Sequence, residues 1–175
     1  GSIGKHYSFY VNGKVIVLVG LGSKKDFDVN KSRVVAGNAS RYSINEKYDS
    51  FAIECFIPSE LSRQSFGEGL VLGSYQFKGH KLNQENSVDI KSITVIGAVE
   101  KNIQKGFNIG KAICLSRDLG NHPANIVTPS KLEAEAREIA ENENFSIKVF
   151  DREEFTEMGM GGLSGVAQGT DEPPK

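Results

Sequence analysis

Hydrophobic and polar positions alternate in two rhythms along the 175-residue chain, and the switches between them mark its elements. Tyr7-Ser8-Phe9-Tyr10-Val11 and Lys14-Val15-Ile16-Val17-Leu18-Val19 are aromatic and β-branched runs joined by Asn12-Gly13, the pair that a type I′ turn prefers. They predict a β-hairpin. The second run is almost wholly apolar, which predicts a central strand covered on both faces. Val29 to Ser43 has a helical period, with Val34, Val35, Ala39 and Tyr42 near one face. Phe51 to Ile57 predicts a strand. Pro58-Ser59 then opens a helix capped by Ser59, in which Leu61, Leu70, Val71 and Tyr75 are apolar while Gly67, Gly69 and Gly73 leave room for a close neighbour. Asn83 to Asn86 reads as a polar loop and Ile93 to Ile96 as a buried strand. Helical spacing runs on from Ala98, with Val99, Ile103, Phe107, Gly110 and Cys114 on one stripe. Strands alternating with helices predict an α/β domain, and the antiparallel hairpin makes its sheet mixed.

The helical pattern stops at a hinge, Ser116 to Pro129. Gly120 and Asn121 supply a helix stop, and Pro123 and Pro129 force the residues before them out of the α region. Past the hinge, Ser130 is placed to cap a helix with Leu132, Ala136, Ile139 and Ala140 on one face, and Ser146 to Phe150 predicts a short strand. Asp151 and Glu154 have capping-box spacing and open another short helix. Helix, strand and helix begin a second α/β layer, yet no further strand precedes Lys175 to pair with Ser146–Phe150. The expected organisation is a first α/β domain over 1–115 whose last helix starts near 98, a linker over 116–129, and a truncated second α/β unit over 130–175.

Composition narrows the function classes. No apolar run approaches the ~20 residues that span a bilayer, and no basic-then-apolar leader pattern opens the chain, so no membrane role is expected. Cys55 and Cys114 lie in apolar surroundings, far from any C-x-x-C spacing, and read as reduced buried thiols of a cytoplasmic protein. The glycosylation-like triplets at Asn30 and Asn38 are short patterns that recur by chance. The net charge of −1 hides an asymmetry. Residues 1–129 hold 16 Lys and Arg against 11 Asp and Glu, whereas residues 130–160 hold 4 against 9. The basic half has no cluster interleaved with aromatics, so nucleic-acid binding is not expected.

Candidate chemistry is sparse. Gly20-Leu21-Gly22 follows a strand, but Lys25 occupies the place of the third fingerprint glycine, which favours close backbone packing over a nucleotide site. His6, His80 and His122 are scattered, without the spacing of a metal site. Gly162-Leu163-Ser164-Gly165 stops short of a nucleophile elbow because Val166 replaces the last glycine. Asp118 follows Arg117 near a helix C-terminus, where a carboxylate needs a salt bridge or a capping role. Glu133, Glu135, Glu138, Glu141 and Glu143 spread along a helix, as on a solvated face. No catalytic, cofactor-binding or metal-binding residue is assigned in this chain.

Three stretches nonetheless carry a resemblance. Arg117-Asp118-Leu119, Asn121, Pro123, Asn125, Thr128-Pro129 and Leu132 are similar to the linker signature of the leucyl (cytosol) aminopeptidases, a family of two-metal exopeptidases. Glu68-Gly69-Leu70-Val71-Leu72-Gly73-Ser74-Tyr75-Gln76-Phe77 resembles a helix of that family's N-terminal domain. Gly159-Met160-Gly161-Gly162-Leu163-Ser164-Gly165-Val166-Ala167-Gln168-Gly169, with Pro173-Pro174, resembles the opening of its catalytic domain. Departures are Gly120, His122 and Glu133, which stand where the family more often has other residues.

The resemblance implies a parent enzyme in the cytoplasm that removes N-terminal amino acids from peptides with two divalent ions, zinc or manganese. It implies a three-layer first domain folded like a macro domain, a hexameric homo-oligomer, and a catalytic domain in cis whose metal ligands lie downstream of Pro173-Pro174. This chain would then be inactive alone, bind no metal, and serve assembly or interaction. The family's first domain begins before Tyr7, so an early strand is also expected to be missing. The alternative is a free-standing macro-like module that binds ADP-ribose or another nucleotide.

Overall fold

The computed structural model describes residues 1–79 and 88–175; His80 and the Asn83–Asn86 stretch lie outside the described residues. The chain divides into two compact units, Gly1–Asp118 and Leu119–Lys175. The first contains strands β1 (His6–Val11) and β2 (Lys14–Val19), helix α1 (Val29–Asn45), strand β3 (Ser50–Glu54), helix α2 (Glu60–Ser74), strand β4 (Ser92–Ile96) and most of helix α3 (Glu100–Asn121). The second contains α4 (Pro129–Asn142), α5 (Arg152–Glu157) and α6 (Gly161–Val166).

The hairpin turns as its sequence dictates. Asn12 and Gly13 both take positive φ, 48° and 76°, and the antiparallel register pairs Val11 with Lys14 and His6 with Val19. The central position expected for β2 is corrected: among the described residues β2 pairs with β1 alone, and its residues alternate between exposed and half-buried. An apolar run marks a strand, but two-sided burial depends on what packs over it. β3 and β4 form a separate parallel pair, with Ser50 opposite Ser92 and Glu54 opposite Ile96. The strands described thus make a mixed α/β structure of two small sheets with helices.

The strand expected over Phe51–Ile57 ends at Glu54. Cys55 still donates its backbone N–H to the Ile96 carbonyl at 2.8 Å, but Phe56 is exposed. Ser146–Phe150 forms no strand, since it finds no ladder partner among the described residues and a strand needs a neighbour.

Helix ends follow local chemistry. The Asp28 carboxylate accepts from Lys31 N at 2.7 Å to start α1, and Ser59 accepts from Ser62 N at 3.4 Å to start α2. For α4 the cap is Thr128, which accepts from Lys131 N at 3.2 Å, and the expected Ser130 is already inside the helix. Pro129 explains the shift: its missing N–H and fixed φ suit the first helical position. Asp151 and Glu154 complete a reciprocal capping box at α5. Lys47 and Asn144 take left-handed φ after α1 and α4, and each is followed by a bond back into the last turn.

The core of the first unit gathers Val35 and Ala36 of α1, Cys55 and Ile57 after β3, Phe66 and Leu70 of α2, and Ile103 of α3. Burial of each large side chain is worth about 1.5–3 kcal/mol. Val34, Leu61 and Val99, counted with the apolar faces from periodicity, are exposed. The second unit buries Ala140, Phe155 and Ala167.

Candidate functional site

The stretch Glu68–Phe77, which begins in the last turns of α2 and runs past its end, carries two partnered polar groups of the first unit. The Glu68 side chain is only 6% exposed, yet fully partnered. Its Oε2 accepts from Arg33 Nε at 2.9 Å and Nη2 at 2.7 Å, and its Oε1 accepts from Gln64 Nε2 at 3.0 Å. Arg33 also donates to Asn30 Oδ1 at 2.9 Å. A carboxylate with both oxygens held by donors is satisfied as a buried ion and joins α1 to α2. Sequence reading missed the pair because Arg33 looks like an ordinary surface residue of α1. The available signal was Glu68 between Gly67 and Gly69, two positions of close helix approach.

Those glycines set how near the helices approach. A side chain at Gly69 would meet the Ala36 Cβ and the Arg33 carbonyl carbon at 2.9 Å, and one at Gly67 would meet the Ile103 carbonyl oxygen at 2.5 Å. The close packing expected of Gly67, Gly69 and Gly73 is therefore what the structure contains. Ser32 and Ser40 of α1 reinforce it by donating to the carbonyls of Ser62 at 2.6 Å and Leu70 at 2.8 Å.

Among the described residues, Asp118 takes neither of the expected roles. Its Oδ1 accepts from the Tyr75 hydroxyl at 2.8 Å, while the Arg117 guanidinium lies 5.4 Å from the centroid of the same ring. Near them, burial pushes the half-buried Cys114 thiol upward from its ordinary pKa, with Arg117 opposing and Asp118 adding to the shift.

The remaining candidates stay apart. His6 stacks on Tyr42 with ring centroids 4.7 Å apart, and His122 follows the end of α3. Gly20 and Gly22 are bonded to the chain's first residues, through Gly4 N to Gly20 O at 2.9 Å and Gly22 N to Gly1 O at 3.1 Å, so backbone fills the loop that a phosphate would need. Ser164 lies in α6 without a preceding strand, its Oγ 2.9 Å from Thr156 Oγ1. On α4, Lys131 pairs with Glu135 at 2.5 Å and Arg137 with Glu133 at 2.7 Å. Among the described residues, no three His, Cys, Asp or Glu side chains converge as metal ligands. Among the described residues, the donors present do not fit a two-metal centre.

Two models of one family match the chain in order: the N-terminal domain of the cytosol aminopeptidase family over residues 1–84, and its catalytic domain over residues 114–175. The chain belongs to the cytosol aminopeptidase family. It is 33% identical over 167 residues to a probable cytosol aminopeptidase of Microcystis aeruginosa, covering 91% of this chain and 34% of that protein. The chain spans about a third of the length of the curated relatives it matches. Among solved structures it is similar to a mutant of tomato leucine aminopeptidase, with a TM-score of 0.74 and 26% identity over 99% of this chain and 37% of that one. It shares its fold with the bottromycin maturation enzyme BotP, with a TM-score of 0.85 and 24% identity over 97% of this chain and 38% of that one. BotP has also been solved in complex with Mn.

Proposed function

We propose that this chain is the non-catalytic N-terminal part of a two-metal leucyl aminopeptidase, joined through its linker to the first elements of the catalytic domain. Residues 1–115 would form the N-terminal domain, 116–129 the linker and 130–175 the catalytic beginning. The observation that carries the reading is the pair of family matches, in order, on a chain a third as long as its relatives. Hydrolysis of this class needs two ions about 3.5–4 Å apart to activate a bridging water, and a chain without the ligand set retains no weaker version of that site. Assembly or interaction is then the role left to the N-terminal domain. The manganese complex of BotP favours a divalent ion of that kind in the parent. A cytoplasmic location fits two free cysteines and the relatives named cytosol aminopeptidases.

The test is to assay the purified chain with leucine p-nitroanilide in added manganese or zinc and to measure retained metal after dialysis. The expected result is neither turnover nor retained metal, with both gained together when the chain is extended through the catalytic domain. Metal-dependent turnover by the 175 residues alone, or a full-length protein that does not hydrolyse the substrate, overturns the reading.

A further inference from the structure

Along the contact between α2 and α3, the points of close approach recur one helical turn apart on α2. Gly67 faces Ile103 and Gly106, and Val71 packs against Gly110. The fully buried residues of α3 are Ile103, Gly106 and Gly110, so from Lys111 to Asn121 the helix continues without one. Cys114, Leu115, Asp118 and Leu119 are only half-buried there, and a helical segment without a core residue opens locally unless something else holds it.

The next turn of α2 brings Tyr75. It is the C-cap residue, turned out of the helix at φ −63° and ψ 128°, and Ser74 beside it closes the last turn by donating to the Val71 carbonyl at 2.8 Å. From this fixed stop the Tyr75 ring reaches the far end of α3, where its hydroxyl meets Asp118 and its face meets Arg117. Two successive residues of α3 thereby hold one side chain of α2, one at the tip and one on the ring. Asp118 lies in the last turn, where the helix dipole disfavours a carboxylate. A donor supplied from another helix offsets that repulsion, and the repulsion returns when the donor leaves.

We infer that Tyr75 is a latch that docks the C-terminal turns of α3 onto α2, and that its release lets residues 111–121 open as a unit while the core stays folded. The inference goes beyond the aminopeptidase reading and does not rest on it. Tyr75 acts here as a positioning residue; the docked and open states of α3 differ in the Asp118 hydrogen bond and the Arg117 ring contact.

Hydrogen exchange on the whole chain tests it, comparing the parent sequence with Tyr75→Phe, Asp118→Ala and the double variant. Tyr75→Phe keeps the ring and removes only the hydroxyl. Each single change should speed exchange over 113–119 roughly tenfold, and the double variant should match either single, as coupled partners do. Exchange in α1 and over 100–107 should not move. Arg117→Gln, which spares the hydrogen bond, should give a smaller increase of about threefold over the same segment. Asp118→Ala gives the sharpest discrimination. Without a latch, replacing a misplaced carboxylate by a better helix former slows opening, so slower exchange in that variant overturns the inference. Unchanged exchange in Tyr75→Phe, or an equal rise throughout α1 and α2, overturns it as well.

Discussion

Adding one methyl group at Gly73 should destabilise the first unit, and adding one at Gly37, on the opposite side of the same contact, should not. A Cβ at Gly73 would sit 2.5 Å from the Gly37 Cα and 2.7 Å from its carbonyl carbon. Comfortable carbon contacts are about 3.5–4.0 Å, so the overlap is about 1 Å and falls entirely on backbone. Only separation of α1 from α2 relieves it, which strains the Ser40 to Leu70 bond at 2.8 Å. Overpacking costs about 1–3 kcal/mol, and a weakened buried hydrogen bond adds up to about 1 kcal/mol. The helix-propensity gain of Gly→Ala, up to about 1 kcal/mol, is reduced because Gly73 is next to the end of α2. The net expectation for Gly73→Ala is a loss of about 1–3 kcal/mol. For Gly37→Ala the nearest atoms are the Gly69 carbonyl oxygen at 3.4 Å and the Gly73 Cα at 3.8 Å, which is ordinary contact. In the middle of α1 the propensity gain stands, so stability should rise by up to about 1 kcal/mol. Urea unfolding followed by far-UV circular dichroism gives both signs from the midpoint at constant slope. Gly73→Ala as stable as the parent, or Gly37→Ala falling equally far, would refute the close-packed geometry.

Other expectations concern charge. Arg33→Met leaves the Glu68 carboxylate buried with Gln64 alone and should cost about 2–4 kcal/mol, the lower part of the range for a broken buried pair because Arg33 remains partly wetted. Adding Glu68→Met should recover most of that loss, and an unfolding midpoint for the double variant below that of the single would contradict it. Hydrogen bonds hold three carboxylates below their usual range: Lys91 and Ser50 on Asp49, Arg137 on Glu133, and Ser130 and Thr128 on Glu172. Such groups contribute stability above their unfolded pKa of about 4 that is lost as pH falls through the lower folded values. The melting temperature should therefore decline below about pH 4.5, less steeply in Glu172→Gln, and a profile unaffected by that substitution would remove Glu172 from the account. Lys91 and Lys131, raised by hydrogen bonds to Asp49 and Glu135, act in the opposite direction, their contribution being lost as pH rises above about 10.5.

The sequence alone determined whatever depends on near neighbours along the chain. Asn12-Gly13 specified the hairpin because few other pairs take positive φ twice without strain, and Asp151 and Glu154 specified a capping box because both partners lie within one turn. Helix periods, the close-packing glycines of α2 and the linker motif were legible for the same reason. Their order along the chain also identified the family, since motif order does not depend on packing. Tertiary structure decided the rest. An apolar run such as Lys14–Val19 fits an inner or an outer strand equally, and only its pairing, with β1 alone among the described residues, placed it. Ser146–Phe150 has the residues of a strand but no neighbour among the described residues, and backbone hydrogen bonds need a second chain segment. Arg33 with Glu68 and Tyr75 with Asp118 join residues 35 and 43 positions apart. Charge and hydrogen bonding act through space, so no spacing rule in a single sequence announces such pairs until the helices that carry them have packed.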